Sequence, residues 1–243
     1  MNYNALFEEV GFIYEYRNDF EQFFRPFFEN DNKMMEFFFQ VFKNDENDKR
    51  PRWMMNDIYN TVTLARDIDK IRPKRDSLRI LFFRICLEAI SKDSGKSNKD
   101  FFDTFDTFFS NEGKQYILSH FVFSGINIPD DITGIERASF DTYCDYQLTC
   151  ADFVTIMRST RNIVAHEGDY WSMQFFAHDS DSTWLTCITT DEEVVACQPK
   201  QKGKKLTYCF HTTMLYEMFE YYFVEACINY IMDYIGNGNK NMS

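Results

Sequence analysis

Phe20, Phe23, Phe24, Phe27 and Phe28 recur at i, i+3, i+4, i+7 and i+8. That spacing puts large rings on one face of a helix, and such a face must be buried against something else. The aromatic habit runs through the whole chain, which holds 27 Phe and 14 Tyr but only 9 Gly and 5 Pro. With so few breakers, long elements should dominate, and helices fit them best. A chain of 243 residues with 44% hydrophobic content can form one large domain or two small ones.

Pro26 interrupts the first stripe and should kink or divide that helix. Lys33 to Phe42 resumes an apolar helix, and polar Asn44 to Arg52, containing Pro51, reads as an exposed connection. Residues 1–50 are thus expected as an N-terminal helical extension. Trp53 to Ile71 is helical. Asp76 reads as the N-cap of a buried helix over Ser77 to Lys92. Asp93 to Lys99 is a loop. Asp100 to Phe123 is aromatic and mainly helical, with Gly113 as the place for a break, and Gly125 to Gly134 is a loop. Ile135 to Ala165 reads as one long helix or two in tandem. Between about 170 and 211 the period changes. Met173–Phe176, Trp184–Thr189, Val194–Cys197 and Leu206–Phe210 are short β-type runs separated by turn residues. They predict a small antiparallel β insertion. A last amphipathic helix, Thr213 to Ile235, should stop at Gly236, leaving residues 237–243 as a disordered tail. The fold class expected is mainly α, an antiparallel helical bundle with a β insertion before the last helix.

The formal net charge of −12 disfavours a protein that coats nucleic acid, yet it leaves room for a locally basic cleft. Seven cysteines, an odd number with no C-x-x-C pair, read as reduced thiols. Met1 to Glu9 holds two acids and no basic cluster, unlike a signal peptide, and no apolar run reaches membrane-spanning length. A cytoplasmic protein with no membrane partner is expected. His120, His178 and His211 have no metal-ligand spacing, so neither a metal nor a cofactor is expected.

The chemistry concentrates in Arg158-Ser159-Thr160-Arg161-Asn162-Ile163-Val164-Ala165-His166-Glu167-Gly168. Histidine moves protons near neutral pH, and arginine presents a planar donor fork to phosphate oxygens. Arg161-Asn162-Ile163-Val164-Ala165-His166 resembles the R-x(4–6)-H signature of the HEPN family (higher eukaryotes and prokaryotes nucleotide-binding). Leu87-Glu88-Ala89-Ile90 is similar to a stretch common in an earlier helix of such domains. The resemblance covers residues 53–236. It implies a helical bundle and a metal-independent endoribonuclease, in which His166 handles protons, Arg161 holds the scissile phosphate and Asn162 orients the histidine or meets a phosphate oxygen. It further implies RNA as partner, a homodimer with a composite cleft, and a prokaryotic antiviral defence or toxin setting with a regulatory or antitoxin partner. Where members partnered by nucleotidyltransferases carry a tyrosine, two residues after the histidine, this chain has Gly168.

Other readings stand beside this one. Arg161 and His166 can simply close a helix and pair with acids, in a catalytically inactive HEPN-like module that binds nucleotide or protein. A purely structural helical protein is a third class. Glu88 is a candidate support for the motif arginine, though Arg84 and Glu88 also have the spacing of an ordinary i, i+4 ion pair. Arg158 is one turn before Arg161 and either adds to a phosphate site or forms a surface ion pair. Lys200, Lys202, Lys204 and Lys205 are a candidate RNA guide or a soluble hairpin tip.

Overall fold

The aromatic stripe forms the first helix, α1 (Tyr14–Phe24), and Pro26 ends it by tightening Arg25–Phe27 into a 3-10 turn. The computed structural model describes residues 14–43, 48–127, 146–168, 172–176, 184–190 and 206–240. Among the described residues the order continues with α2 (Asp31–Lys43), α3 (Arg50–Ile71), α4 (Asp76–Ser94), α5 (Asn98–Phe105), α6 (Asn111–His120) and β1 (Phe121–Asn127). Then come α7 (Cys150–Glu167), β2 (Trp184–Thr190), β3 (Leu206–Thr212) and α8 (Tyr216–Lys240). The protein is therefore mainly helical, with a small antiparallel sheet completed just before its last helix. No helix among the described residues is long and apolar enough to cross a membrane.

The chain separates into two compact units. The first comprises Met1–Thr63, Ile85–Ser110 and Glu220–Ser243; the second comprises Leu64–Arg84 and Asn111–Phe219. In the first unit the phenylalanines do what their spacing demands. The Phe24 ring meets Phe37 and Phe38 of α2, each at 5.8 Å between centroids. Phe20 and Phe23 close on Tyr59 of α3 at 4.8 and 5.3 Å. Phe101 of α5 meets Tyr230 of α8 edge-on at 5.0 Å. Each such pair contributes about 0.5–1.5 kcal/mol beyond its area burial. Cys86 and Cys227 are buried free thiols, and burial, followed by the neighbouring Cys86, pushes the Cys227 thiol well above its usual range.

The connection expected to be exposed is partly tied down. Residues 44–47 lie outside the described residues, but Asp48 accepts two bonds from the Arg50 guanidinium, at 2.7 and 2.8 Å, one from the Arg50 N–H at 3.0 Å, and one from Tyr234 Oη at 2.9 Å. Burial, followed by that bond to Asp48, pushes the Tyr234 hydroxyl up to about 12. α3 starts at Arg50 rather than Trp53, because Pro51 falls in the first turn, where no N–H is needed.

One titration in this unit should be visible in stability. Burial, and then the neighbouring charge of Asp93, push Asp57 from 3.8 to about 6. Between those two values the folded state holds the proton that the unfolded chain releases. Stability contributed by protonated Asp57 is thus present at low pH and lost as pH rises through about 6. Thermal melts across that window should show the gap between Asp57→Asn and wild type moving in favour of the variant as pH rises. A pH-independent gap would contradict the assignment.

In the second unit, β3 lies centrally and pairs antiparallel with β1 on one side and β2 on the other. Alternation sets its inward face: Leu206, Tyr208, Phe210 and Thr212 are buried while His211 is exposed. The sequence pattern predicts a helix end and a loop where β1 forms. Its residues instead alternate, with Phe121 and Phe123 buried and Val122 49% exposed, and an irregularity between Phe123 and Gly125 adjusts the register. Met173–Phe176, expected as a strand, forms none. Its backbone is satisfied by side chains: Ser77 Oγ accepts from Met173 N–H at 2.9 Å and donates to its carbonyl at 3.0 Å. Asp76 accepts from Phe175 N–H at 2.8 Å, so its carboxylate serves a distant segment. Val194–Cys197 lies outside the described residues. α8 does not stop at Gly236 but runs on to Lys240.

Candidate functional site on the motif helix

Helix α7 spans 18 residues and carries the whole Arg161–His166 motif. Its start is fixed by a capping box. Thr149 accepts from Asp152 N–H, and the Asp152 carboxylate accepts from Thr149 N–H at 2.8 Å and from Tyr146 Oη at 2.9 Å. The helix therefore begins at Cys150, inside the stretch from Ile135 expected as one long helix or two in tandem; residues 135–145 lie outside the described residues. Its end is fixed by Gly168, whose φ of 70° is the left-handed cap expected of it. Within the second unit the helix is pinned by Phe153, which meets Phe121 of β1 at 5.3 Å and Phe219 of α8 at 5.7 Å.

The burial pattern sorts the motif. Ile156, Met157, Ser159, Thr160, Ile163 and Val164 are buried, while Arg158, Ala165 and His166 are exposed and Arg161 and Asn162 half-buried. Arg158, Asn162 and His166 fall at i, i+4 and i+8, so they lie along one stripe, with Arg161 beside it. All of the chemistry-bearing residues of the motif thus lie off the core face of one helix. Arg161 and His166 are separated by about 7.5 Å along the axis, five residues at 1.5 Å each. The same five residues turn them about 140° around the axis, so they stand at the two edges of the exposed side.

A polar contact joins Asn162 to Arg161. The Asn162 Oδ1 accepts a bond from Arg161 Nη1 at 3.1 Å. This contact holds the arginine side chain from the next residue along the helix. His166 is in the last turn of the helix, next to exposed Glu167.

The supporting candidates divide. Arg158 shares the open side of α7 with the motif. Arg84 is only 4% exposed, inside the second unit. Glu88 is half-buried and belongs to the first unit. Lys200, Lys202, Lys204 and Lys205 lie outside the described residues, as do Asp169, Tyr170 and His178.

Sequence reasoning misses two features. One is the clamp on the segment C-terminal to the motif, formed by Asp76 and Ser77 with Ser172 and Met173. Burial raises Asp76, although the Phe175 N–H and Arg79 pull against it. The other is an open groove between α3 and α4, lined in part by Asp57 and Asp93. The clamp has no signal in the sequence beyond an Asp-Ser pair at a helix start.

Fold and site together define a mainly α protein with a small antiparallel sheet and a capped helix presenting Arg-Asn and His on its open side. Compared with known protein families, curated proteins and solved structures, the chain matches none of them.

Proposed function

We propose that the chain is a metal-independent endoribonuclease of the HEPN type. The observation that carries this reading is the motif geometry: Arg161, held by Asn162, and His166 share the open side of a helix that is capped at both ends. In the reaction, the ribose 2′-oxygen attacks the adjacent phosphorus, the P–O5′ bond breaks, and a proton moves from the 2′-hydroxyl to the departing O5′. His166 supplies proton transfer and Arg161 meets the charge that grows on the non-bridging oxygens. A single histidine serves either as base or as acid at one moment. A second copy of the chain across a two-fold axis supplies the other role, which makes the working enzyme a homodimer. RNA is the substrate class, in a cytoplasmic setting of antiviral defence or toxin activity, restrained by a regulatory or antitoxin partner.

The test is the product. Cleaved RNA should carry a 2′,3′-cyclic phosphate and a 5′-hydroxyl, and DNA of the same sequence should remain intact because it lacks the nucleophile. Native mass spectrometry should find a dimer. Products bearing a 5′-phosphate, or equal cleavage of DNA, would exclude this chemistry.

One observation favours a second reading. Arg161 is half-buried and its Nε is shielded from solvent, which suits a side chain with a structural task. Such a chain would be a catalytically silent HEPN-like module that binds nucleotide or a protein partner. It would bind RNA or nucleotide without cleaving it, whatever the state of residue 166.

A further inference from the structure

Away from the motif, α3 and α4 flank an open groove of about 370 Å³ within the first unit. Trp53, Asn56 and Asp57 line it from α3, and Ala89, Lys92 and Asp93 from α4. Each helix contributes positions i, i+3 and i+4, so two short faces look at each other across one groove. The volume is in the range of small-ligand sites. Ala89 has only a methyl group to place in this groove, so that wall stays low. Opposite it, the Trp53 indole is 46% exposed, which is unusual for so large an apolar ring. Inside, Asp57 and Asp93 face one groove from the two helices, and the nearby Asp93, after burial, raises Asp57. Two carboxyl groups this close resist both being ionised unless a positive charge joins them.

We propose that this groove binds a guanidinium group, gripped at its edge by Asp57 and Asp93 and stacked on its face against the Trp53 indole. The lining selects that class. A planar N–H fork matches paired carboxylates, and a delocalised cation is attracted to an indole face. Asn56 adds an amide oxygen that can accept a further N–H. An anion would meet two acids. A hard divalent ion needs about six oxygen ligands, and no group of three or more acidic, thiol or imidazole side chains suited to a metal occurs among the described residues. Lys92 is the resident cation lining the groove; it is exposed and lowers Asp57, while burial and Asp93 raise it to about 6. Below about pH 6 the entering cation must take the place of the Asp57 proton, which leaves to solvent. The site stands independently of the nuclease reading.

Calorimetric titration of the full chain with agmatine tests this. Saturable binding is expected at about pH 7.5, weakening about tenfold at pH 5 because the proton must first be displaced. Asp57→Asn should weaken it about tenfold or more, through loss of a charge-assisted bond. Trp53→Ala, at an exposed position where folding is not at stake, should weaken it about two- to fivefold. Agmatine and a short arginine-containing peptide distinguish a free metabolite from a partner's arginine side chain: whichever binds more tightly identifies the source. No saturable heat with either probe at millimolar concentration, or binding that neither substitution nor acid weakens, would overturn the proposal.

Discussion

Replacing His166 with alanine should abolish RNA cleavage and leave the fold unchanged. His166 is exposed in the last turn of α7, so its removal opens no cavity and breaks no core contact. Loss of a positioned acid–base group costs about 10²–10⁴ in rate, and a dimer that draws on both histidines loses both at once. Arg161→Ala should fall nearly as far, by about 10²–10³, since the growing phosphorane charge then goes unmet. Arg161→Lys should rescue little: a point charge cannot reproduce the fork, nor can it keep the 3.1 Å bond to Asn162 in the same geometry. Asn162→Ala should cost about tenfold, the kinetic equivalent of one hydrogen bond to a charged group. Cleavage should persist in EDTA. The measurement is a time course on labelled RNA with each variant, alongside circular dichroism. Wild-type rates in His166→Ala, or activity that vanishes in EDTA and returns with magnesium, would defeat the mechanism.

The motif's place in the fold is legible because motif and helix end coincide in the sequence. The 3.6-residue period of the phenylalanines marks the helices, and Gly168 marks the end of α7, where its φ of 70° bears this out. The start of α7 is legible too, in principle: Thr149-Cys150-Ala151-Asp152 is a capping box, outweighed by the apolar residues on its N-terminal side. β1 is hidden for a different reason. Phe121, Val122 and Phe123 directly succeed a helical aromatic run, and a short apolar stretch has no period of its own. Only the presence of β3 as a neighbour decides it. The same competition removes the expected strand at Met173–Phe176, where Ser77 and Asp76, nearly a hundred residues earlier, take up its N–H groups. Asp57 and Asp93 sit on separate helices, so no local pattern announces their pairing. Local period and caps are written in the sequence. Contacts between elements far apart in the chain are not.

Phe219→Ala should be among the most damaging single core substitutions to the motif's support. Phe219 is fully buried at the start of α8 and meets Phe83 of α4 at 5.0 Å, Phe175 at 5.4 Å and Phe153 of α7 at 5.7 Å. It therefore joins the motif helix to α4 and to the clamped segment in one ring cluster. Truncation removes the ring's transfer energy and leaves a cavity that four elements cannot readily collapse into, a loss of about 3–5 kcal/mol. That is a large share of the roughly 5–15 kcal/mol that holds most domains folded. The consequence for function differs from that of His166→Ala. Phe153 loses a wall, so α7 should open locally more often, and amide exchange in Phe153–Val164 should accelerate ahead of exchange in α2, which belongs to the first unit. RNA cleavage should fall in proportion to the unfolded fraction and recover on cooling toward the stability maximum. Phe219→Leu, which keeps most of the volume, should restore much of the stability. A chemical denaturation midpoint unchanged in Phe219→Ala would show that this ring cluster does not support the motif helix.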